Sequence, residues 1–213
     1  MQKIFGIDKY KFYISDISTS VIYNEEIIKN KIIHELIKKD FLVIDSKVFD
    51  GNLSVKDVLK SLKFDMKLIP YYNLKDLLNE RYINISFEEQ LFIKVISLIC
   101  DTKSRIVFDD VLTFLNDKQK YLILKYIKDN NIIFYNFTSD IEEVLFTKYL
   151  IALSASGVIV EGSTKSVLKE EKILKHNGFS LPFVVELSTH LKDYGILDKE
   201  YYSLEKLVNE LWK

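Results

Sequence analysis

The sequence predicts an α/β domain built on a mostly parallel sheet, and two observations carry that expectation. From about residue 85 onward, short apolar runs (105–109, 131–137) alternate with helical patterns (116–129, 140–147, 163–176, 180–194), the order that lays helices over both faces of a parallel sheet. The composition fits one sizeable domain: 213 residues, 48% hydrophobic, 29% charged, net charge −1.

Taken in order, residues 2–22 alternate loosely (KIFGI, KFYISDI, SVIY) and read as two or three short strands. Residues 25–39 place Ile27, Ile28, Ile32, Ile33, Leu36 and Ile37 at helical intervals, an amphipathic helix. FLVIDSKVF (41–49) reads as a buried strand, with Asp50-Gly51-Asn52 as the turn after it. Residues 54–63 and 73–80 read as short helices separated by a loop around Pro70. Ser86-Phe87-Glu88-Glu89 has the form of a capping box and opens a helix to about Cys100. Two strands at about 149–154 and 157–161 form a hairpin, and the tail holds a helix with Leu204, Leu207, Val208 and Leu211 on one face.

Several function classes are excluded or disfavoured. A balanced charge argues against nucleic-acid binding by bulk electrostatics. The single Cys100 rules out an internal disulfide framework and fits a reducing cytosol. No apolar run approaches the roughly 20 residues of a membrane span, and the opening MQKIFGIDKYK lacks a signal-peptide core, so any membrane connection is expected through a partner. With six Gly in the whole chain, neither GxxxxGK[ST] nor GxGxxG occurs, and phosphate loops need glycine for close backbone approach. The scattered His34, His176 and His190 suggest no metal cluster.

The motifs of the second half carry the chemistry. RIVFDDVLTFLND (105–117) is an apolar strand ending in two carboxylates, Asp109-Asp110. IIFYNF then runs into Thr138-Ser139-Asp140, followed by IEEVLFTKYLIALSASGVIVEGST. This order resembles the C-terminal half of an ABC-transporter nucleotide-binding subunit. The resemblance puts Asp109 at the Walker B Asp that holds Mg²⁺, Asp110 at the catalytic Glu, Asn116 at the D-loop Asp and Ser139 at the switch His. ISFEEQ (85–90) lies at the signature "L-S-G-G-E-Q": Ile85, Ser86, Glu89 and Gln90 fit, while Phe87 and Glu88 stand at the glycines. SVIYNEEIIKNKIIHEL (20–36) lies at the Walker A loop, with Lys29 at the phosphate lysine, Asn30 at the Mg²⁺-binding Ser and Glu25 and Glu26 inside the cradle. FLVIDSKVF matches the Q-loop strand, with Asp45 or Ser46 near the expected Gln.

One pattern narrows the family. Gly178, Phe179, Pro182, Leu187, Leu191 and Gly195 keep the order and spacing of the C-terminal segment of energy-coupling-factor (ECF) transporter ATPases, which helps dimerise the relatives. The resemblance implies a P-loop NTPase-like sandwich with a reduced N-terminal β subdomain and a small helical subdomain. Residues 1–195 would form a degenerate ABC ATPase domain, its helical part at about 54–100, and 172–213 a dimerisation segment.

Plainer readings stand beside these. Asp109-Asp110 can be a cap or turn, Lys29 a solvated helix residue, Ser139 the N-cap of a helix at 140–147, Cys100 a small core residue, and the stripe 181–191 ordinary core. Taken together, the resemblance implies a non-hydrolysing or weakly active subunit that acts as scaffold or regulator of an ECF-like micronutrient-uptake complex, with no cofactor certain and Mg-ATP possible. Such a subunit would pair with an ABC or ECF ATPase subunit, or with itself, beneath a transmembrane component on the cytoplasmic face. Two alternatives remain open: an ATP-binding subunit with residual Mg-ATP binding or hydrolysis, and a stand-alone interaction module.

Overall fold

The computed structural model describes residues 3–49, 51–101 and 105–212. In chain order the strands and helices are β1 (Lys3–Ile7), β2 (Phe12–Ser15), β3 (Thr19–Tyr23), α1 (Glu26–Ile37), β4 (Leu42–Asp45), α2 (Val55–Ser61), α3 (Ile69–Tyr72), α4 (Phe87–Asp101) and β5 (Ile106–Asp109). Then follow α5 (Asp117–Asp129), β6 (Phe134–Thr138), β7 (Tyr149–Ser154), β8 (Gly157–Ser163), α6 (Thr164–Lys169), α7 (Glu171–His176), α8 (Phe183–Asp193) and α9 (Leu204–Leu211). The chain divides into two compact units: residues 1–35 with 136–213, and 36–135. The divide passes through α1 and β6, so each of these elements contributes residues to both units.

In the first unit β1 and β2 form an antiparallel hairpin, β3 and β7 pair in parallel, and β7 and β8 pair antiparallel. Gly157 opens β8 at φ 107°, and a Cβ there would stand 2.5 Å from the Tyr10 carbonyl oxygen, so the hairpin turn and the Tyr10 backbone meet only through a glycine. The core gathers Ile22, Leu150, Ala152, Val167, Leu168, Leu174, Phe179, Val184 and Leu207. Gly178 and Gly195 sit at positive φ just past α7 and α8, where the Phe179 and Ile196 N–H groups return to the Leu174 (3.0 Å) and Leu191 (2.9 Å) carbonyls. These are glycine helix stops of the Schellman type, and Phe179, Val184 and Val185 are buried between them. The 178–195 pattern thus has a direct role in packing this unit.

In the second unit β4 and β5 pair in parallel, with Asp45 opposite Asp109 at their ends. A second core joins Ile44, Leu59, Tyr72, Tyr82, Leu91, Val95, Ile99, Phe108 and Ile123. Burying each such side chain is worth roughly 1.5–3 kcal/mol against leaving it in water. No helix among the described residues is long and apolar enough to cross a membrane.

The element order matches the sequence expectation, with local corrections. Around Pro70 the chain is helical, because proline is tolerated in the first turn, where its missing N–H has no partner to lose. Residues 73–80 hold only a 3₁₀ turn at Lys75–Leu77, and Ile141–Phe146 is 3₁₀ as well. The run 163–176 breaks at Glu170 into two six-residue helices. Ile27 and Ile37 face solvent, and on α9 only Leu207 is buried, leaving Leu204, Val208 and Leu211 exposed. Of the turn signal at 50–52, Asp50 lies outside the described residues.

Candidate functional site

β3 ends at Tyr23 and α1 begins at Glu26, so Asn24 and Glu25 alone connect them. A phosphate cradle needs a longer glycine-rich loop whose N–H groups converge on the anion. Here the Glu25 carbonyl accepts the N–H groups of Ile28 and Lys29, both at 3.2 Å, and starts the helix at once. Glu26 places a carboxylate at the positive end of the helix dipole, the position a phosphate would take. Asn24 Nδ2 donates to the Asn177 carbonyl at 2.8 Å and fixes the link from the other side.

Lys29 is only 5% exposed. Its ammonium lies 2.9 Å from Glu26 Oε2, donates to Tyr23 Oη at 3.3 Å and stands 4.7 Å from the Tyr23 ring centre. The cation is thus held by the charge of Glu26 in its own helix and by the face of the Tyr23 ring at the end of β3. Asn30, one residue on, is exposed on a different face, where it lines a cleft of about 760 Å³ with Ile7, Tyr10, Lys31 and His34. Lys29 and Asn30 therefore address different surroundings, as a turn of about 100° per residue requires.

In the second unit Asp109 ends β5, with one carboxylate oxygen shielded from solvent. Asp110 follows at φ 52°, the left-handed region that Asp tolerates better than most residues. The chain then makes a 3₁₀ turn at Leu112–Phe114 and enters α5, capped by Asn116. Asn116 Oδ1 accepts the Gln119 N–H at 3.0 Å and Gln119 Oε1 accepts the Asn116 N–H at 3.2 Å, a reciprocal capping box.

Ser86, Glu89 and Gln90 come together at the start of α4. Glu89 Oε2 accepts the Ser86 N–H at 2.9 Å, and Ser86 Oγ accepts the Glu89 N–H at 3.2 Å. Gln90 Nε2 donates to the Tyr82 and Ile85 carbonyls at 2.9 and 3.0 Å, while Tyr82 Oη donates to the Gln90 carbonyl at 2.8 Å. All three side chains hold the helix start. Between them Phe87 packs edge-on against Phe114, ring centres 5.7 Å apart, and Glu88 accepts a short hydrogen bond from Asn116 Nδ2. The start of α4 and the segment after Asp110 are thereby joined twice.

Ser139 does not cap the segment after it. Asp140 does, accepting the Glu142 N–H on its Oδ1 at 3.0 Å. Glu143 is buried and accepts from Asn136 Nδ2 at 2.8 Å, and Glu142 accepts the Phe183 N–H at the start of α8.

No family model matches the chain. It is 25% identical over 157 residues to the energy-coupling factor transporter ATP-binding protein EcfA1 of Lactobacillus delbrueckii subsp. bulgaricus, a match covering 71% of this chain and 56% of that protein. Against the EcfA1 of Geobacillus kaustophilus the identity is 29% over 112 residues, covering 50% and 40%. The chain spans about half the length of these curated relatives. A solved structure of the ATP-binding subunit of an ABC transporter superposes with a TM-score of 0.60 at 10% identity, covering 96% of this chain and 93% of that one. The chain has the ABC ATPase fold and is similar in sequence to ECF-type ATP-binding proteins.

Sequence reading passes over a strongly held charged pair of the second unit. Lys94, 8% exposed in the middle of α4, donates to the Asp45 carbonyl at 2.9 Å, the Lys47 carbonyl at 2.6 Å and the Asp45 carboxylate. Burial pulls the Asp45 pKa up, but the hydrogen bond and charge of Lys94 outweigh it and hold the carboxyl below its ordinary value. Asp45 is therefore committed to a cation from its own chain. The signal was present in the sequence: one lysine inside LFIKVISLIC, a stretch apolar on every face. Asp109 and Asp110 lie at the end of β5 and on the residue after it.

Proposed function

We propose that this protein is an ABC ATPase-like subunit that does not hydrolyse ATP and serves as a scaffold or regulator of a membrane transport complex of the ECF kind. The reading rests above all on the β3–α1 connection. Two residues stand where a phosphate loop would be, two glutamates occupy the helix start, and Lys29 is committed to Tyr23 and Glu26. A triphosphate arriving there would meet carboxylates and no glycine-rich loop to close around it. The start of α4 supports the same reading, since Phe87 and Glu88 fill the place of the two signature glycines and are held by Phe114 and Asn116.

On this reading residues 1–195 form the degenerate ATPase domain, with its helical part at about 54–100, and 172–213 serve in dimerisation with an ATPase subunit or a second copy. The exposed Tyr194, Ile196, Leu204, Val208, Leu211 and Trp212 suit such a contact. A transmembrane partner would hold the protein at the cytoplasmic face of the membrane.

Calorimetric titration with Mg-ATP and a non-hydrolysable analogue tests the proposal. No saturable heat at millimolar nucleotide is expected at the β3–α1 connection, whereas micromolar binding that is lost in Lys29→Met or Asp109→Ala would overturn the proposal. A second reading, residual Mg-ATP binding or hydrolysis, is favoured by Asp109 keeping its place at the end of β5. Mg²⁺-dependent hydrolysis abolished by Asp109→Ala would establish it.

A further inference from the structure

Past the Tyr149↔Ser163 pair of the β7–β8 ladder, the backbone stays pinned for one more step. The Thr164 N–H donates to the Lys148 carbonyl at 3.0 Å and Thr164 Oγ1 to the Thr147 carbonyl at 2.8 Å. Thr147 Oγ1 in turn accepts the Ser20 N–H at 3.0 Å, and both threonines are buried. This rigid floor carries Lys148 and Lys165 to the rim of a cavity of about 450 Å³, walled by Leu145 and Tyr202.

The charge of this cavity is one-sided. Lys165 stands over the Tyr202 ring, 5.2 Å from its centre, which presets its position. Among the described residues neither Lys148 nor Lys165 has a carboxylate within ion-pair distance. Tyr202 Oη donates to Glu200 at 3.2 Å, but Glu200 is itself neutralised by Lys192 at 2.8 Å, and among the described residues no carboxylate lines the cavity. Ser163 adds a hydroxyl at the mouth, shared with Ser166 Oγ at 2.7 Å. Two uncompensated ammonium groups favour a dianion over a monoanion, and they disfavour a metal ion. The volume and the Leu145–Tyr202 wall leave room for an apolar or aromatic group beside the charge.

We propose that this cavity binds a phosphate monoester: the phosphate lies between Lys148 and Lys165, and the organic part rests on Tyr202 and Leu145. The site shares no residue with the Walker-type positions, so it stands or falls separately from the reading of the ATPase site.

The test is calorimetric titration of the full chain with phenyl phosphate, inorganic phosphate and phenyl sulfate, on the parent protein and on Lys148→Ala, Lys165→Ala and the double variant. Saturable binding of phenyl phosphate is expected, tighter than that of inorganic phosphate or the monoanionic sulfate. Each single variant should weaken it about tenfold, the loss of one charge-assisted hydrogen bond. Lys29→Met and Asp109→Ala should leave it unchanged. No saturation by about 10 mM, or unaltered binding in a double variant with native circular dichroism, overturns the proposal. Loss of binding in Lys29→Met alone would also overturn it, by moving the ligand to the β3–α1 connection. Competition between phenyl phosphate and vesicles containing phosphatidic acid would name a lipid headgroup as the source of the monoester. Indifference to such vesicles would name a soluble one.

Discussion

The start of α1 and the middle of α4 each bury a lysine, and they hold it in opposite ways. Lys29 is held almost locally, by Glu26 three residues away and by the Tyr23 that ends the preceding strand. Lys94 reaches back 49 residues to Asp45 and is satisfied by three oxygens, two of them backbone carbonyls. A lysine ammonium has three donors, and in Lys94 all three are matched. The first arrangement neutralises a helix start that would otherwise attract an anion. The second fastens the end of β4 to α4.

The two lysines should therefore differ most under truncation. Lys94→Met keeps the apolar stem and removes the charge, leaving the Asp45 and Lys47 carbonyls without their donor. Loss of about 2–4 kcal/mol is expected in urea unfolding, the range for breaking a buried charged hydrogen-bond set, with the semi-exposed Asp45 keeping it from being larger. A loss under 1 kcal/mol would mean that water replaces the ammonium and that the fastening is incidental.

Acid should separate the same regions. The Asp45 pKa in the folded protein lies below its ordinary value of 3.8, so its ion pair adds stability above that pH and loses it as pH falls through the lower folded value. Below about pH 4 the parent protein should lose stability more steeply than Asp45→Asn, as chemical denaturation at a series of pH values would measure. Parallel slopes would show that Asp45 gains nothing from Lys94.

What was legible in the sequence follows the same division between local and distant contacts. The capping box at Ser86–Glu89 and the amphipathic run in α1 are local devices, and their residue types announce them, whereas in the sequence Gly178 and Gly195 read only as members of a family pattern and not as helix stops. The Lys94–Asp45 and Asn136–Glu143 pairs are set by which strand end meets which helix, and spacing along the chain does not encode that. The same holds for Asn116. The resemblance puts it at the D-loop Asp, yet its donor to Glu88 emerges only once α4 and the turn after β5 are side by side. The switch from α to 3₁₀ at 141–146 was equally hidden, because one six-residue stretch satisfies either pattern.

Lys29→Met sharpens the comparison on the weaker side. Glu26 is largely exposed, so the ion pair is screened, and the ring contact is worth about as much as a surface cation–π pair; a loss of about 1 kcal/mol is expected. A loss matching that of Lys94→Met would show that the β3–α1 connection is a structural clamp in its own right.

The smallest expected effect lies at the start of α4, where Phe87 and Phe114 are 46% and 47% exposed. In a double-mutant cycle of Phe87→Ala and Phe114→Ala, an edge-on aromatic pair half in water should couple by about 0.5–1 kcal/mol. If the pair served only to stabilise the fold, a buried aliphatic contact would do so better; exposing two rings beside a charged hydrogen bond suits a surface that meets another molecule. The two alanine variants should therefore cost little in unfolding free energy while weakening capture of an ATPase partner more than their stability loss accounts for. Equal losses in both measurements would return Phe87 and Phe114 to the role of ordinary packing and leave the start of α4 no more specialised than that of α1.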